Sequence, residues 1–542
     1  MAYASMMGVR VKRKEDPRLI TGAASYVGDI VLPGMRHVAF VRSPYAHAKI
    51  RGIDTAAAQA HPGVYAVVTG ADLAPLCDPM PMSTAGETGT AAESGQSRTH
   101  YALSADRVRH VGEAVAAVIA DTAAIAADAA AEVVVDWEPL PAVANLEQAA
   151  AEGAPLLFDH VPSNVALSWQ HKTDGADAAF AGAAHVVRQR MVSQRLSGVP
   201  MEGRAVLAAP DPTTDGVTVW TSTQGPHVTR GQLATALHLP ENAVRVIVPD
   251  VGGGFGVKIG VFPEDVALAA LARKYRVPLR WIESRVEHMV ATTHGRAQIA
   301  DLEAAVQPDG TVTAVRMRIL ADLGAYPVAP DIPLLTGGMG VGVYRIPEVD
   351  QAITCVLTNT TPVAAYRGAG RPEAAYYLER LMDVIARELG LDSIEVRRRN
   401  FIAPDAFPYK TPTGHVYDSG EYDRALTKAL EVSNYAALRE EQRQRIANPE
   451  SSKLLGIGIA CYVEMCAFGY ESATVRVDPS GTVTVFTGTS PHGQGTATSF
   501  AQIVADQIGA DFDKIVVRHG DTSVTSFGMG TMGSRGLAVG GS

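Results

Sequence analysis

One pattern occurs twice in this chain and limits what it can fold into. Residues 217–254 (VTVWTSTQGPHVTRGQLATALHLPENAVRVIVPDVGGG) and 482–530 (TVTVFTGTSPHGQGTATSFAQIVADQIGADFDKIVVRHGDTSVTSFGMG) each read as strand, Pro-His turn, helix, strand and glycine-rich loop. Pro226-His227 and Pro491-His492 mark the same place in the two copies. A supersecondary unit used twice builds two similar subdomains. Strand–helix–strand segments are also common in unrelated α/β proteins, and both readings place the chain in the α/β (α+β) class.

The surroundings of the repeat suggest three regions, and at 542 residues the length fits about three or four structural units. In residues 1–150, HVAFVRS and GVYAVVTG read as strands, and GEAVAAVIA, DTAAIAADAAAE and VVVDWEPLPAV as strand, helix and strand, with Asp121 or Thr122 as the cap. This is the pattern of a small α/β domain. Residues 151–165 gather Pro and Gly as a linker does. A first subdomain is expected over 160–430 and a second, incomplete one over 450–542. Helices are predicted over 263–275 and 372–390; in the latter Ala375, Leu378, Leu381, Met382, Ile385 and Leu389 recur at helical spacing. The densely charged stretch 434–455 reads as an exposed helix and loop.

Charge and cysteine content narrow the function. With 47 Lys plus Arg against 57 Asp plus Glu, the net charge of −10 offers no support for binding a phosphate backbone, so nucleic acid is a poor partner. Cys77, Cys355, Cys461 and Cys466 form no CxxC pair, too few to staple the chain and wrongly spaced for an iron–sulfur cluster. The amino-terminal MAYASMMGVRVKRKEDPR lacks an apolar signal region, and no long uncharged apolar run suggests a membrane span. A soluble cytoplasmic protein is expected.

Four glycine-rich loops carry the candidate chemistry. Gly252-Gly253-Gly254-Phe255-Gly256-Val257-Lys258 follows a strand; its spacing is neither a Walker A loop nor GxGxxG, and it suits an anion-binding nest or a plain tight turn. Residues 488–499 open onto a helix whose N-terminus suits a phosphate, or is simply a well-capped start. Ala365-Tyr366-Arg367-Gly368-Ala369-Gly370-Arg371-Pro372-Glu373 sets two arginines before a long helix, either for oxyanion stabilisation or as solvated partners of Glu373. Gly528-Met529-Gly530-Thr531-Met532-Gly533-Ser534-Arg535-Gly536 is the fourth. Together they argue for a large polyoxygenated ligand held by main chain. No Ser nucleophile elbow, HExxH or metal-ligand cluster is present, and His227, His238 and His294 read as structural.

These segments resemble the large, molybdenum-cofactor-binding subunit of the xanthine dehydrogenase/aldehyde oxidase family, most closely its aerobic carbon monoxide dehydrogenase-like branch. Arg18 to Ile30 (RLITGAASYVGDI) and Arg42 to Ala48 (RSPYAHA) look like the opening of that family's α/β hammerhead domain, which would occupy residues 1–150. The resemblance implies that a pyranopterin holds the molybdenum and that no side chain ligates it. It gives Gln224 a hydrogen bond to the metal's oxo ligand, sets Gly254, Phe255 and Gly256 beside the metal, and makes Arg367 the arginine of the active-site loop. His492, Gly493, Gln494, Gly495, Ser534 and Arg535 match pterin and phosphate contacts. The cofactor form implied is molybdopterin cytosine dinucleotide. Catalysis would insert water-derived oxygen into an electrophilic C–H, and two electrons would leave through a small [2Fe–2S] subunit and a medium FAD subunit, in a dimer of heterotrimers.

Departures from the family pattern bear on the small-molecule substrate. Purine-hydroxylating members carry a glutamate, an arginine and a phenylalanine where this chain has Ile259, Leu335 and Ala369. Carbon monoxide dehydrogenases carry a copper-binding cysteine where it has Gly368. Xanthine and carbon monoxide are thereby disfavoured, leaving an aldehyde or a less polar N-heterocycle. The family's catalytic glutamate lies in a Gly-Glu-Gly segment expected beyond Ser542, as in a fragment of a longer subunit. A carbon monoxide dehydrogenase large subunit, an NAD(P)-dependent dehydrogenase using the loops near 252 and 493, and a non-catalytic binding or assembly subunit are the alternative readings.

Overall fold

The computed structural model describes residues 5–80, 99–466 and 468–542. Residues 1–4 of the amino-terminal stretch, 81–98 of the expected first domain and Ala467 lie outside the described residues.

A seven-stranded sheet organises the first half of the chain. In spatial order its strands are Val244–Ile247, Val217–Thr221, Ala205–Pro210, Leu279–Ile282, Arg36–Arg42, Ala114–Ala120 and Val64–Thr69. The amino-terminal strands are therefore continuous with the first repeat: Arg36 and His37 pair in parallel with Leu279 and Arg280, across the linker expected at 151–165. Ala114–Ala120 is buried at every position, so both its faces need cover. On this sheet lies helix Pro263–Tyr275, whose residues Val266 to Ala272 are all buried. Helix Ala123–Ala131 is capped by Thr122, whose hydroxyl accepts from the Ile125 amide.

A five-stranded sheet, ordered Val165–Lys172, Glu348–Leu357, Val312–Gly324, Gln298–Val306 and His185–Ser193, forms the second layer. Helix Arg371–Leu389 supplies Leu378, Leu381, Met382 and Ile385 to its core and ends at Gly390, whose φ of 67° needs a glycine. Each such side chain contributes about 1.5–3 kcal/mol by burial. The segment expected as a linker is a packed loop instead. Leu157, Phe158 and Val161 are core residues, and the Asn164 side chain fastens the loop by donating to Ala149 and Pro155 carbonyls. Its Pro and Gly content describes a turn, and polarity alone does not reveal what a turn packs against. Helix Tyr435–Ala447, in contrast, buries none of its residues.

The repeat is real in three dimensions. In the first unit Val217–Thr221 pairs antiparallel with Ala205–Pro210 and parallel with Val244–Ile247. In the second, Val483–Thr487 pairs antiparallel with Ala473–Val477 and parallel with Ile515–Arg518. Helices Pro226–Ala236 and Thr496–Ile508 make the crossovers. The antiparallel strand that precedes each unit is part of the shared topology. The units grip one another reciprocally: the Val248 amide donates to Gly520 O at 2.6 Å and the Thr522 amide to Val246 O at 3.0 Å. His227 Nε2 donates to Thr525 O at 3.0 Å, and His492 Nε2 to Thr223 O at 3.4 Å. The amino-terminal segment crosses the second unit, where the Met6 amide donates to Asp506 Oδ1 at 2.6 Å and the Lys14 amide to Thr498 Oγ1 at 2.8 Å.

Candidate functional site

The site is built where the crossing units meet, and Gln224 is its junction. The residue is buried, and its Oε1 accepts from the amides of Gly256 at 2.8 Å and Lys258 at 3.3 Å. Its Nε2 donates to Thr531 O at 2.8 Å, while the Thr531 amide donates back to Gln224 O at 2.9 Å. One side chain thus joins the first-unit turn to the glycine-rich loop of the second. Glycine is required where the backbones touch. A Cβ on Gly254 would meet Gln224 Oε1 at 2.7 Å, and one on Gly530 would meet Gln224 O at 2.3 Å.

An ion pair between a half-buried Glu202 and a buried Lys258 fastens the turn at both ends. Glu202 Oε2 accepts from the Gly252 amide at 2.8 Å and from Lys258 Nζ at 2.9 Å. Lys258 is fully buried; burial lowers its ammonium from the usual range, and Glu202 opposes that shift. Beneath lies a larger network in which Arg204 pairs with Glu264 at 2.6 Å and Glu283 at 2.8 Å. Burial pushes the Glu264 carboxyl up, yet Arg204 and Arg42 bring it down to about 2. Neither Glu202 nor the role of Lys258 is legible in the sequence, because no spacing links Glu202 to the turn it closes.

Arg367 reaches the turn through main chain. Its amide donates to Phe255 O at 2.8 Å, and its exposed guanidinium lies 5.9 Å from the Phe255 ring centroid. A Cβ on Gly256 would meet Ala365 O at 2.6 Å, so this approach too depends on glycine. Phe255, with a φ of 56°, leaves its ring 46% exposed above the turn. Among the residues expected to face substrate, Ile259 is half-buried one place beyond Lys258, Leu335 lies against Gly370, and Ala369 has a φ of 43°. The Gly368 carbonyl accepts from Arg371 Nη1 at 3.0 Å.

The second unit contributes His492, whose neutral imidazole donates to Thr223 O; burial pushes its pKa down to about 4. Gly493 has a φ of 101° and nothing within 4 Å of where a Cβ would sit. The exposed Gln494 accepts from the His492 amide at 2.6 Å, and Gly495 caps the following helix in a left-handed conformation. Segments near 224, 255, 367 and 492–495 therefore converge.

Several side chains around these loops have partners other than those expected. The N-terminus of helix Thr496–Ile508 is capped by Glu15, whose Oε1 accepts from the Thr498 amide at 3.1 Å, so that donor is taken by a carboxylate of the chain itself. Arg535 is fully buried, donating to Phe468 O at 3.0 Å and Gly530 O at 2.8 Å and pairing with Glu471; it holds the loop from below, with its guanidinium turned inward. Ser534 remains exposed, 3.3 Å from Glu464. Neither loop arginine is a solvated partner of Glu373. Arg371 is buried against Met465 O and Glu464, and Glu373 faces Arg296. The ion-pair partners Glu471, Glu464 and Arg296 all lie far away in sequence.

Among the described residues no cluster of His, Cys, Asp and Glu is arranged to hold a metal ion, and no helix is long and apolar enough to cross a membrane. Two buried hydroxyls beside the converging loops, Ser490 Oγ and Thr496 Oγ1, have no hydrogen-bond partner among the described residues. Buried hydroxyls normally find one. With the open space over Gly493, they fit a polyoxygenated group held by main chain.

An α/β sheet feeding two interlocked copies of one unit thus sets a glycine-lined main-chain cradle at their crossing, the class of site that holds a large polyoxygenated ligand by backbone. The aldehyde oxidase and xanthine dehydrogenase a/b hammerhead domain family matches residues 21–141, and molybdopterin cofactor-binding domain families match 157–401 and 428–542. The carbon monoxide dehydrogenase large chain of Hydrogenophaga pseudoflava is 37% identical, covering 99% of this chain and 69% of that protein. The nicotine 6-hydroxylase large subunit of Paenarthrobacter nicotinovorans is 35% identical, covering 99% of this chain and 66% of its own length. Quinoline 2-oxidoreductase from Pseudomonas putida 86 superposes with a TM-score of 0.92 at 37% identity, over 98% of this chain and 69% of that one. The chain belongs to the xanthine dehydrogenase/aldehyde oxidase family of molybdenum oxidoreductases, among whose large subunits it spans about two thirds of the length of these relatives.

Proposed function

We propose that this chain is the cofactor-binding part of a hydroxylase that inserts water-derived oxygen into an electrophilic C–H of an N-heterocycle or an aldehyde. The observation that carries the reading is the Gln224 junction, where both halves of the repeat meet at one buried amide. When bound, the molybdenum cofactor, in its cytosine dinucleotide form, supplies the two-electron oxidation. The residues of this chain hold and orient. Gln224 keeps one amide hydrogen beyond its bond to Thr531 and presents it to the cofactor. Gly254, Phe255 and Gly256 offer main chain at close approach. Arg367 carries an exposed positive charge beside the Phe255 ring, suited to a developing anion. His492, Gly493, Gln494, Gly495 and Ser534 line the pterin and phosphate end, and Arg535 fixes the Ser534 loop from beneath.

Ile259, Leu335, Gly368 and Ala369 form a substrate side without a charged grip, favouring a flat apolar ring over a purine. The names of two relatives, a nicotine hydroxylase and a quinoline oxidoreductase, agree with that class. Gly368 offers no thiol for copper, which separates this chain from carbon monoxide oxidation. Electrons pass to a [2Fe–2S] subunit and an FAD subunit in a cytoplasmic dimer of heterotrimers. The purified complex is expected to contain molybdenum and pterin and to oxidise N-heterocycles or aldehydes with a dye acceptor. An assembled, molybdenum-free complex that turns these substrates over equally well overturns the reading.

A further inference from the structure

Arg296 and Ala297 occupy consecutive left-handed conformations, with φ of 65° and 60°. Residues with a Cβ adopt this region at a cost, and two in succession persist only where the surroundings fix them. Here the fixing contacts are visible. His294 is bridged to the 362–364 segment: its amide donates to Pro362 O at 2.9 Å, and the Ala364 amide donates to His294 O at 2.8 Å. At Gly295 a Cβ would lie 2.5 Å from Tyr366 Cβ. Ala297 O accepts from the Asp322 amide at 3.0 Å.

The bend delivers the Arg296 side chain beneath the arginine loop. Nη1 donates to Tyr366 O at 2.8 Å and Nη2 to Arg367 O at 2.7 Å, and the guanidinium lies 5.2 Å from the Tyr366 ring centroid. Its counter-ion is Glu373, 3.6 Å away and 1% exposed, neither of whose oxygens has a hydrogen-bond partner among the described residues. A carboxylate so buried needs a positive neighbour. From Glu373 the contacts therefore run through Arg296 to the Tyr366 and Arg367 carbonyls, and on through the Arg367 amide to Phe255 O.

We propose that Arg296, neutralised by Glu373, is a positioning residue that sets the Arg367 loop against the glycine-rich turn. Its meaning for catalysis rests on the reading of Arg367 as an active-site residue, whereas its effect on the loop does not. A planar guanidinium spans two adjacent carbonyls with separate nitrogens; an ammonium is a single point charge and cannot hold the same fork.

The test measures amide hydrogen exchange in the full chain, as assembled holoenzyme, for the wild type, Arg296→Ala, Arg296→Lys and Glu373→Gln, together with molybdenum content, kcat and KM. Exchange of the Arg367 amide is expected to rise at least tenfold in Arg296→Ala and by a smaller factor in Arg296→Lys, while strand Val312–Gly324 exchanges as in the wild type. At retained molybdenum content, kcat falls more than KM rises. Unchanged exchange at Arg367, or a uniform rise across the chain, overturns the proposal. If Arg296→Ala does not accumulate, Arg296→Lys carries the same two outcomes. Faster exchange at Arg367 in a protein that never held molybdenum leaves the positioning role standing and removes the assigned function, so the two failures are distinct.

Discussion

Gln224 Nε2 donates to the carbonyl of Thr531 across 2.8 Å, while its Oε1 accepts from the Gly256 amide on the opposite side. Truncating this side chain leaves two buried amides and a carbonyl unpaired, each costing about 1–3 kcal/mol. Gln224→Ala is expected to lower stability by at least ~2 kcal/mol and to reduce molybdenum content. Denaturant melts and metal analysis of the purified complex measure the two effects. Retention of both at wild-type values removes the junction from the account of the site.

The Glu202–Lys258 pair makes a separate test. Removing Glu202 strands the buried Lys258 ammonium, at a cost of about 3–5 kcal/mol. Lys258→Met is expected to be nearly neutral by comparison in a Glu202→Leu background. A double-mutant cycle read by urea midpoints gives the coupling, and additive effects contradict the pairing.

Close backbone approach predicts a contrast between two glycines. Gly256 combines a φ of 98° with a Cβ position 2.6 Å from Ala365 O, whereas Gly493 has a φ of 101° and open space. Gly493→Ala carries the backbone cost alone, about 1–2 kcal/mol. Gly256→Ala adds a clash with backbone, so a larger loss of stability and faster exchange of the Arg367 amide are expected. Equal effects from the two substitutions contradict so close an approach of the two loops.

Acid should weaken the crossing of the two units. Burial holds the His492 imidazole near a pKa of about 4, below the ordinary histidine value of 6.5. Below 6.5 the unfolded chain takes up a proton that the folded chain refuses. This contribution to stability is therefore complete above pH 6.5 and is lost as pH falls through about 4. Urea midpoints between pH 7 and pH 4 should fall less steeply for His492→Gln than for the wild type; parallel slopes count against it.

Much of the architecture was legible in patterns of short range. The stripe from Leu378 to Ile385 specified a packed helix, and the duplicated Pro-His unit specified two similar subdomains, because periodicity and turn chemistry act within a few residues. The packed loop around Phe158 was not legible, and neither was the pairing of Arg371 with Glu464. A loop's polarity reports its own turns, while burial is conferred by whatever lands on it. Glu15 on the Thr498 amide makes the same point: a cap on one helix arrives from the far end of the chain.

By itself the amino-acid sequence determined the elements, the repeat and the glycine-rich turns, since these follow from local propensity and from the backbone freedom of glycine. Through its resemblance to a known family it also supplied Gln224, Arg367 and His492 as candidates. Only the tertiary structure decided that Gln224 stands between Gly256 and Thr531, that Glu202 closes the turn and that Arg296 lies beneath Arg367. Hydrogen bonds and ion pairs act over a few ångströms in space, and such partners become neighbours only after the two units have crossed.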